Sequence, residues 1–281
     1  MIAFRGDPAV KAAFLRDLED PENFEGPILR EAPIRAWSEA GLLPESLLSL
    51  VAYIADPVQD DSPLFMMDLV QLIEPGADLS TLPHAWLAAM FERLTVLPDD
   101  PELRGCVEDI IALHNQAARG IPVGRSEWRS GRVALARFEN EGSDPDKGVA
   151  IVAASCWDMK TMPGALGDTL NAWRALAFDD ARNAECWTDE DQAGLAEVTK
   201  AVRASIEAEL GGRPDPNIDA AGFAQYRKHY GPLLHEKVAK DKDPLYLRWG
   251  RLRERFSATR REFNRHGRTL YTELVLRMPT A

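Results

Sequence analysis

Residues 188–210 read TDEDQAGLAEVTKAVRASIEAEL, and this stretch decides the fold class. Its apolar side chains recur at steps of three and four, which places them along one side of a helix. They are Leu195, Val198, Val202, Ile206 and Leu210. Thr188 is a good N-cap, and the acids at 189–191 suit the positive end of the helix dipole. Gly211, Gly212 and Pro214 end the pattern, so we predict an amphipathic helix.

Two preceding segments show the same spacing. Residues 124–140 (GRSEWRSGRVALARFEN) have an apolar side with Trp128, Gly131, Leu135 and Phe138, and a basic side with Arg125, Arg129 and Arg132. Because Gly131 has no side chain, we expect a neighbouring helix to come close there. Residues 163–185 carry Leu166, Leu170, Trp173 and Ala177 on one face. Since only a short connection follows, we expect this face to pack antiparallel on Leu195, Val198 and Val202.

Two apolar runs are compatible with helix or strand. Val149–Ala154 lies in the segment 147–160, for which we favour a helix because the run is rich in alanine and Asp144-Pro145 is a start signal. Thr269–Leu276 contains β-branched and aromatic residues, and there too we favour a helix.

Four of the seven tryptophans lie in or beside these helical segments, at positions 128, 157, 173 and 187. Aromatic residues at helical spacing usually face a core, so we interpret them as core anchors. The alternative is a cage for a ligand.

Residues 1–124 contain short apolar runs separated by proline. These runs are Ser46–Ile54, Leu64–Ile73, Trp86–Leu97 and Leu103–Leu113. Proline in a helix interior costs about 3 kcal/mol, so the prolines mark helix boundaries. We therefore predict short stacked helices in this part of the chain.

The last part begins with a loop at Gly211–Asn217. A helical segment at Ala220–Lys240 follows, which we expect Gly231-Pro232 to break. The segment from Pro244 to Met278 keeps one apolar face over many turns, with a kink expected at Gly267. The predicted fold class is therefore all-α, with stacked short helices, then a bundle and a long basic C-terminal helix. We place a domain border at 124/125, with one continuous domain as the alternative.

Composition narrows the class of protein. The chain has 281 residues, 45% of them hydrophobic, and no stretch has the apolar length of a membrane span. The first residues do not resemble a signal peptide. The three cysteines, Cys106, Cys156 and Cys186, form no CxxC pair and indicate small buried or semi-buried residues in a reducing compartment. We expect a cytoplasmic protein with no contact to a membrane.

The charge is unevenly distributed along the chain. Residues 1–124 have a net charge of −13, residues 125–210 of −6, and residues 211–281 of +7. An acidic surface can simply keep a protein soluble, or it can steer a basic partner. The acids that could bind such a partner are Asp56, Asp60, Asp61, Asp99, Asp100, Glu102, Glu108 and Asp109.

The basic C-terminal segment has arginines from Arg248 to Arg268, with Tyr246, Trp249 and Phe256 nearby. This composition permits binding of single-stranded nucleic acid. Against that alternative, the aromatic residues share the apolar stripe, and an acidic body repels phosphate.

No catalytic motif is present in the sequence. It lacks GxGxxG, GxxxxGK[ST], HExxH and GxSxG, and the histidines at 84, 114, 229, 235 and 266 have no metal-ligand spacing. His229 and His235 are the candidates for a base or a metal ligand, and neither is assigned a role. We predict no catalytic residue, no cofactor and no metal; an enzyme with an unrecognised site is the alternative.

The middle of the chain carries one resemblance. Trp128 and Arg132 in a W-x-x-x-R pattern are followed by AIVAASCWDM (150–159), DTLNAWRALA (168–177) and CWTDEDQAGL (186–195). These patterns resemble the all-helical immunity proteins of bacterial polymorphic toxin systems. The resemblance implies a cytoplasmic protein without catalysis that binds a toxin and blocks it. The acidic charge agrees, because toxins that attack nucleic acid are commonly basic.

Overall fold

The structure is a computed structural model and describes residues 2–20, 23–25, 28–29, 31–55, 64–93, 101–141, 152–215, 218–240 and 244–280. The fold is all-α, as the apolar spacing predicts. The helices are α1 (Pro8–Leu18), α2 (Glu31–Glu39), α3 (Glu45–Ala55), α4 (Leu64–Gln71), α5 (Leu82–Arg93), α6 (Pro101–Ala118), α7 (Arg125–Glu141), α8 (Gly164–Ala184), α9 (Asp189–Glu209), α10 (Ala220–Lys240) and α11 (Pro244–Val275). A 3-10 turn (Ala3–Gly6) precedes them, and two-residue strands β1 (Phe24–Glu25) and β2 (Ile28–Leu29) pair antiparallel.

The chain divides into two compact units. Unit 1 comprises Met1–Leu176 and Thr259–Ala281, and unit 2 comprises Ala177–Ala258. The borders between the units therefore fall within α8 and within α11. The border expected at 124/125 lies inside unit 1, between α6 and α7.

Unit 1 has one large apolar core. Consecutive short helices pack against each other, as the proline-separated runs predict: α2 on α3, α3 on α4, α5 on α6 and α6 on α7. Trp86 of α5 is fully buried, and its indole N–H donates to the Gly267 carbonyl of α11 at 3.1 Å. A Cβ at Gly267 would lie 3.0 Å from Ile54 and 3.1 Å from Trp86, so this glycine permits a close helix approach. α11 continues as a helix through Gly267.

The packing expected for α8 is wrong. Leu166 and Leu170 are buried in the unit 1 core, where the Trp173 ring lies 5.3 Å from Phe91 and 5.1 Å from Phe263. Leu195 of α9 belongs instead to the separate core of unit 2. The apolar stripe identified the buried face of α8, but several apolar faces in the chain could cover it, and the sequence does not choose among them.

Unit 2 contains the helix predicted first. Thr188 caps α9: its hydroxyl accepts from the Asp191 N–H at 3.1 Å, and the Asp191 carboxylate accepts from the Thr188 N–H at 2.8 Å. Gly211 and Gly212 adopt positive φ and end the helix. The core of unit 2 buries Trp187, Leu195 and other residues of α8 and α11.

Three local predictions have different outcomes, and the first, a break at Gly231-Pro232, is wrong. Pro232 lies inside α10, which continues through it. α10 packs on α9, where Lys237 donates to the Glu209 carboxylate at 2.5 Å, so tertiary contacts hold this helix in addition to its own hydrogen bonds. In segment 147–160, residues up to 151 lie outside the described residues, only 152–155 are helical, and 156–163 are turns. Thr269–Val275 is helical, as favoured for the stretch Thr269–Leu276.

All three cysteines are free. Cys156 is buried, and burial raises the pKa of its thiol to about 11. Cys106 is half-buried, so these two agree with the expectation of buried or semi-buried cysteines, and Cys186, which is exposed, contradicts it. Its backbone has a φ of +50° in the turn between α8 and α9, and this turn directs the side chain to solvent.

Candidate functional site

Helix α7 separates two concave surfaces of unit 1. Its apolar side is buried as predicted, with Trp128 2% exposed and Leu135 fully buried. One hollow, the arginine pocket, lies on the side that carries Arg125, Arg129 and Arg132. The other, the α6–α7 groove, lies on the side that carries Ser130, Gly131 and Ala134.

The arginine pocket has a volume of 380 Å³ and is enclosed by α7 and the turns at 157–162. The three arginines lie at steps of four and three, so they share one stripe of α7. Trp157, Asp158 and Met162 contribute the facing wall, and Trp128 lies at the back. The lining therefore combines three guanidinium groups with one carboxylate and apolar surface.

One of the three arginines is fixed in place. The Arg132 guanidinium donates to the Cys156 carbonyl at 2.6 Å and lies 3.5 Å from the centre of the Trp157 ring. This contact joins a hydrogen bond to a cation–π interaction. Arg125 and Arg129 are exposed and form no ion pair or hydrogen bond with another residue in the described part of the chain.

Two buried histidines lie behind the pocket. His84 of α5 and His114 of α6 approach with their Nδ1 atoms 3.0 Å apart, and both rings contact Trp128. The Met159 N–H donates to Nε2 of His84 at 3.4 Å. We therefore assign the proton of His84 to Nδ1, which donates to Nδ1 of His114.

Burial keeps both histidines neutral. It lowers the pKa of His84 to about 4, although Asp158, with a carboxylate oxygen 3.8 Å from Nε2, opposes the shift. Burial also lowers the pKa of His114 to about 3, and the neighbouring His84 adds to this effect. At neutral pH the pair is thus an uncharged hydrogen-bonded support for Trp128 and for the turn that carries Asp158.

The histidine pair was not recognised in the sequence. His84 and His114 are thirty residues apart, and each lies alone in an apolar helix, as a structural histidine does. The regular spacing of the short helices α5 and α6 was the available signal, because consecutive short helices usually pack side by side.

The α6–α7 groove has a volume of 480 Å³. Ala112 and Leu113 contribute accessible apolar surface above the buried Ile110, and Asp109 and Glu127 contribute carboxylates. The groove narrows at Gly131, where a Cβ would lie 2.8 Å from the Cys156 sulfur and 3.2 Å from Ile110. The prediction that Gly131 permits a close approach is confirmed.

The predicted acidic residues are only partly described. Asp56, Asp60, Asp61, Asp99 and Asp100 lie outside the described residues. Glu102, Glu108 and Asp109 are exposed on α6, and Asp109 lines the groove. Glu102 accepts from Arg137 of α7 at 2.7 Å, so this acid also links the two helices.

Three of the four arginines of the basic segment that lie in unit 2 have acidic partners within that unit. Arg251 and Arg255 donate to Glu185 at 3.0 and 2.7 Å, and Arg248 pairs with Asp191. The hydrogen bonds from Arg255 and Arg251 lower the pKa of the Glu185 carboxyl. The pKa of Asp191 is also lowered, mainly by the hydrogen bond from the Thr188 N–H and further by Arg248. The aromatic residues of this segment, Trp249 and Phe256, pack on the unit 2 core.

The remaining histidines and tryptophans have ordinary surroundings. His229 is exposed, and His235 lies with Nδ1 3.0 Å from the Tyr246 hydroxyl. Trp128 and Trp187 are buried and Trp173 packs on the core, which confirms the interpretation as core anchors for these three. Trp157 is half-buried and also packs against the unit 1 core, and in addition it lines the arginine pocket.

Metal-ligand groups and membrane-spanning helices are both absent from the described ranges. No three His, Cys, Asp or Glu side chains there are grouped so that they could hold a metal ion. In that same part of the chain, no helix combines the length and the apolar character needed to cross a membrane.

No protein-family model, no curated protein and no solved structure matches this chain at a significant level.

Proposed function

We propose that the protein binds and neutralises a basic protein partner, as an immunity or antitoxin-like inhibitor of a toxin. The distribution of charge between the units supports this proposal. Unit 1 has 20 Lys/Arg and 30 Asp/Glu, and unit 2 has 13 and 15, so that unit 1 carries −10 of the total charge of −12. A partner with a basic surface would be steered toward unit 1.

The observation that carries the proposal is the α6–α7 groove. Protein interfaces combine an apolar centre with a polar rim. The groove has that composition, with the accessible apolar side chains of Ala112 and Leu113 beside the carboxylates of Asp109 and Glu127. A lysine or arginine of the partner can lay its aliphatic stem on the apolar surface while its charged end meets Asp109.

Nucleic acid is the less favoured partner. The stacking aromatics that single-strand binding requires, Trp249 and Phe256, are packed in the unit 2 core. Arg248, Arg251 and Arg255 already have carboxylate partners. Phosphate groups would also meet the repulsion of a chain with net charge −12.

The test is association with the protein encoded by the adjacent gene. The purified pair is examined by biolayer interferometry, and co-expression shows whether the host survives. We expect Glu108→Lys with Asp109→Lys to weaken binding and to reduce rescue. The matched control, Glu197→Lys with Glu236→Lys, reverses two exposed acids of unit 2 and should leave both readouts unchanged.

Two results would contradict the proposal. One is the absence of binding and rescue by the unaltered protein. The other is equal loss in the α6 variant and in the unit 2 control, because binding would then depend on total charge and not on the groove.

A further inference from the structure

The arginine pocket brings three arginines together with fewer carboxylates than are needed to neutralise them. Arg125 and Arg129 are one turn apart on α7, where like charges repel. Asp158 is the single carboxylate among the residues that line this pocket. Its Oδ1 accepts from the Lys160 N–H at 3.0 Å, so the carboxylate also holds its own turn. In a chain of net charge −12, such a cluster marks this hollow as a site for a negative group.

The geometry of the cluster favours a planar or tetrahedral anion. Guanidinium groups stay protonated at physiological pH and present paired N–H donors that match carboxylate and phosphate oxygens. Arg132 is held by the Cys156 carbonyl and the Trp157 ring, which gives the cluster one fixed member. Arg125 and Arg129 supply the donors that no described residue occupies.

Besides the arginines, the pocket has an apolar wall that is suited to a flat group. Trp157 and Met162 line the pocket beside the arginines, and Trp128 closes it from behind. Trp128 is 2% exposed and is supported by the His84 and His114 rings, so this wall is rigid. Small-molecule sites typically combine apolar walls and a few polar groups in volumes of about 300–1,000 Å³. The pocket, at 380 Å³, lies at the small end of this range.

We propose that the arginine pocket binds a small aromatic anion, in which a phosphate or carboxylate is joined to a planar ring. The anionic group would bind Arg125 and Arg129, and the ring would lie against Trp157 and Met162. The site is separate from the α6–α7 groove: the pocket would bind an anion, whereas the groove would bind a basic partner.

The experiment is isothermal titration calorimetry of the whole protein with four probes. Phenyl phosphate and benzoate carry both parts of the ligand, and they distinguish phosphate from carboxylate. Inorganic phosphate and phenol carry one part each. We expect at least one of the joined probes to bind, and each separate part to bind about tenfold or more weakly, since both walls contribute to affinity.

The variants locate the binding. Arg125→Gln with Arg129→Gln should weaken the joined probe about tenfold to hundredfold, the usual loss for hydrogen bonds to charged groups. Arg119→Gln with Arg277→Gln removes the same charge at exposed positions outside the pocket and should change affinity less than twofold. Trp157→Leu should weaken phenyl phosphate but leave the affinity for inorganic phosphate unchanged.

Three outcomes would overturn the inference. They are no binding of phenyl phosphate or benzoate at millimolar concentration, equal affinity for the joined probes and their parts, and equal loss in the Arg119/Arg277 control. The affinity of the toxin is a separate readout, so failure here leaves the proposed neutralisation standing.

Discussion

The two sides of α7 carry opposite chemistry on one helix. On one side, Arg125, Arg129 and Arg132 surround a hollow with a tryptophan wall. On the other side, Gly131 lets α6 and Cys156 come within contact distance, and the groove above carries the carboxylate of Asp109. Trp128 and Leu135 are buried along the helix between them.

The difference shows how one amphipathic pattern produces two kinds of surface. On the side with small residues, α6 comes into contact at Gly131 because no side chain holds it away, and the α6–α7 groove lies along this contact. The side with arginines stays open because the long charged side chains keep their heads in water and repel each other. The same helix can thus offer an anion site and a cation-binding groove without mixing them.

The largest expected effect separates the two tryptophans of the arginine pocket. Trp128→Ala should lower the free energy of unfolding by about 3–5 kcal/mol, because it deletes a buried aromatic ring. Trp157→Ala should cost roughly 1–2 kcal/mol, since this ring is only half-buried and loses its contacts at the edge of the core and with Arg132. Urea denaturation of both variants measures the difference. Equal losses would mean that Trp157 belongs to the core.

The next prediction concerns the histidine pair behind the pocket. Both pKa values are lowered in the folded state, so the unfolded chain binds more protons, and stability falls as pH decreases from about 6.5 toward 4. For His84 alone, a pKa of about 4 corresponds to roughly 3 kcal/mol lost over that window.

Denaturation curves between pH 7 and 4 test this dependence. His84→Gln with His114→Gln should flatten the slope, and His229→Gln, which changes an exposed histidine, should not. A slope that survives in the double variant would assign the pH dependence to other groups.

A smaller effect on stability is expected at Gly131, where α7 contacts α6. Gly131→Ala places a Cβ 2.8 Å from the Cys156 sulfur, and such overpacking should cost about 1–3 kcal/mol. Gly105→Ala on α6 meets nothing within 4 Å and should instead stabilise by about 0.5–1 kcal/mol, through helix propensity. Thermal unfolding compares the two. If both variants gain stability, α7 can move away from Cys156 without cost.

The smallest effect on stability is expected for the acidic surface. Reversal of Asp60, Asp61, Asp99 and Asp100 to lysine should change the unfolding free energy by less than about 0.5 kcal/mol. It should nevertheless slow association with a basic partner about tenfold at low salt and flatten the salt dependence, since charges steer encounter over a Debye length of about 8 Å at physiological salt.

Arg125→Gln with Arg129→Gln is the matched comparison from the other side of α7. It should leave the association rate unchanged or raise it, because it removes positive charge. Stopped-flow kinetics at several ionic strengths gives both rates. If the reversed acidic variant associates as fast as the parent protein, the acids serve only solubility.

Local patterns were sufficient for part of the fold. The apolar stripe of 188–210, the Thr188 cap and the Gly211-Gly212 stop predicted α9 with its ends, because these interactions are formed within the helix itself. The close approach at Gly131 was also predictable, since an absent side chain has the same consequence in any packing. Pro232 shows the limit: its penalty is local, yet α10 continues through it and packs on another helix.

The sequence alone was enough for the all-α class, most of the helices, the buried faces of α7, α8 and α9, and the charge imbalance. Only the tertiary structure decided which faces meet. It placed Trp173 against Phe263, brought His84 to His114, and set the turn of Asp158 opposite the arginines of α7. The reason is physical: a stripe of apolar side chains gains the same free energy against any complementary surface, so its partner is selected by the packing of the whole core.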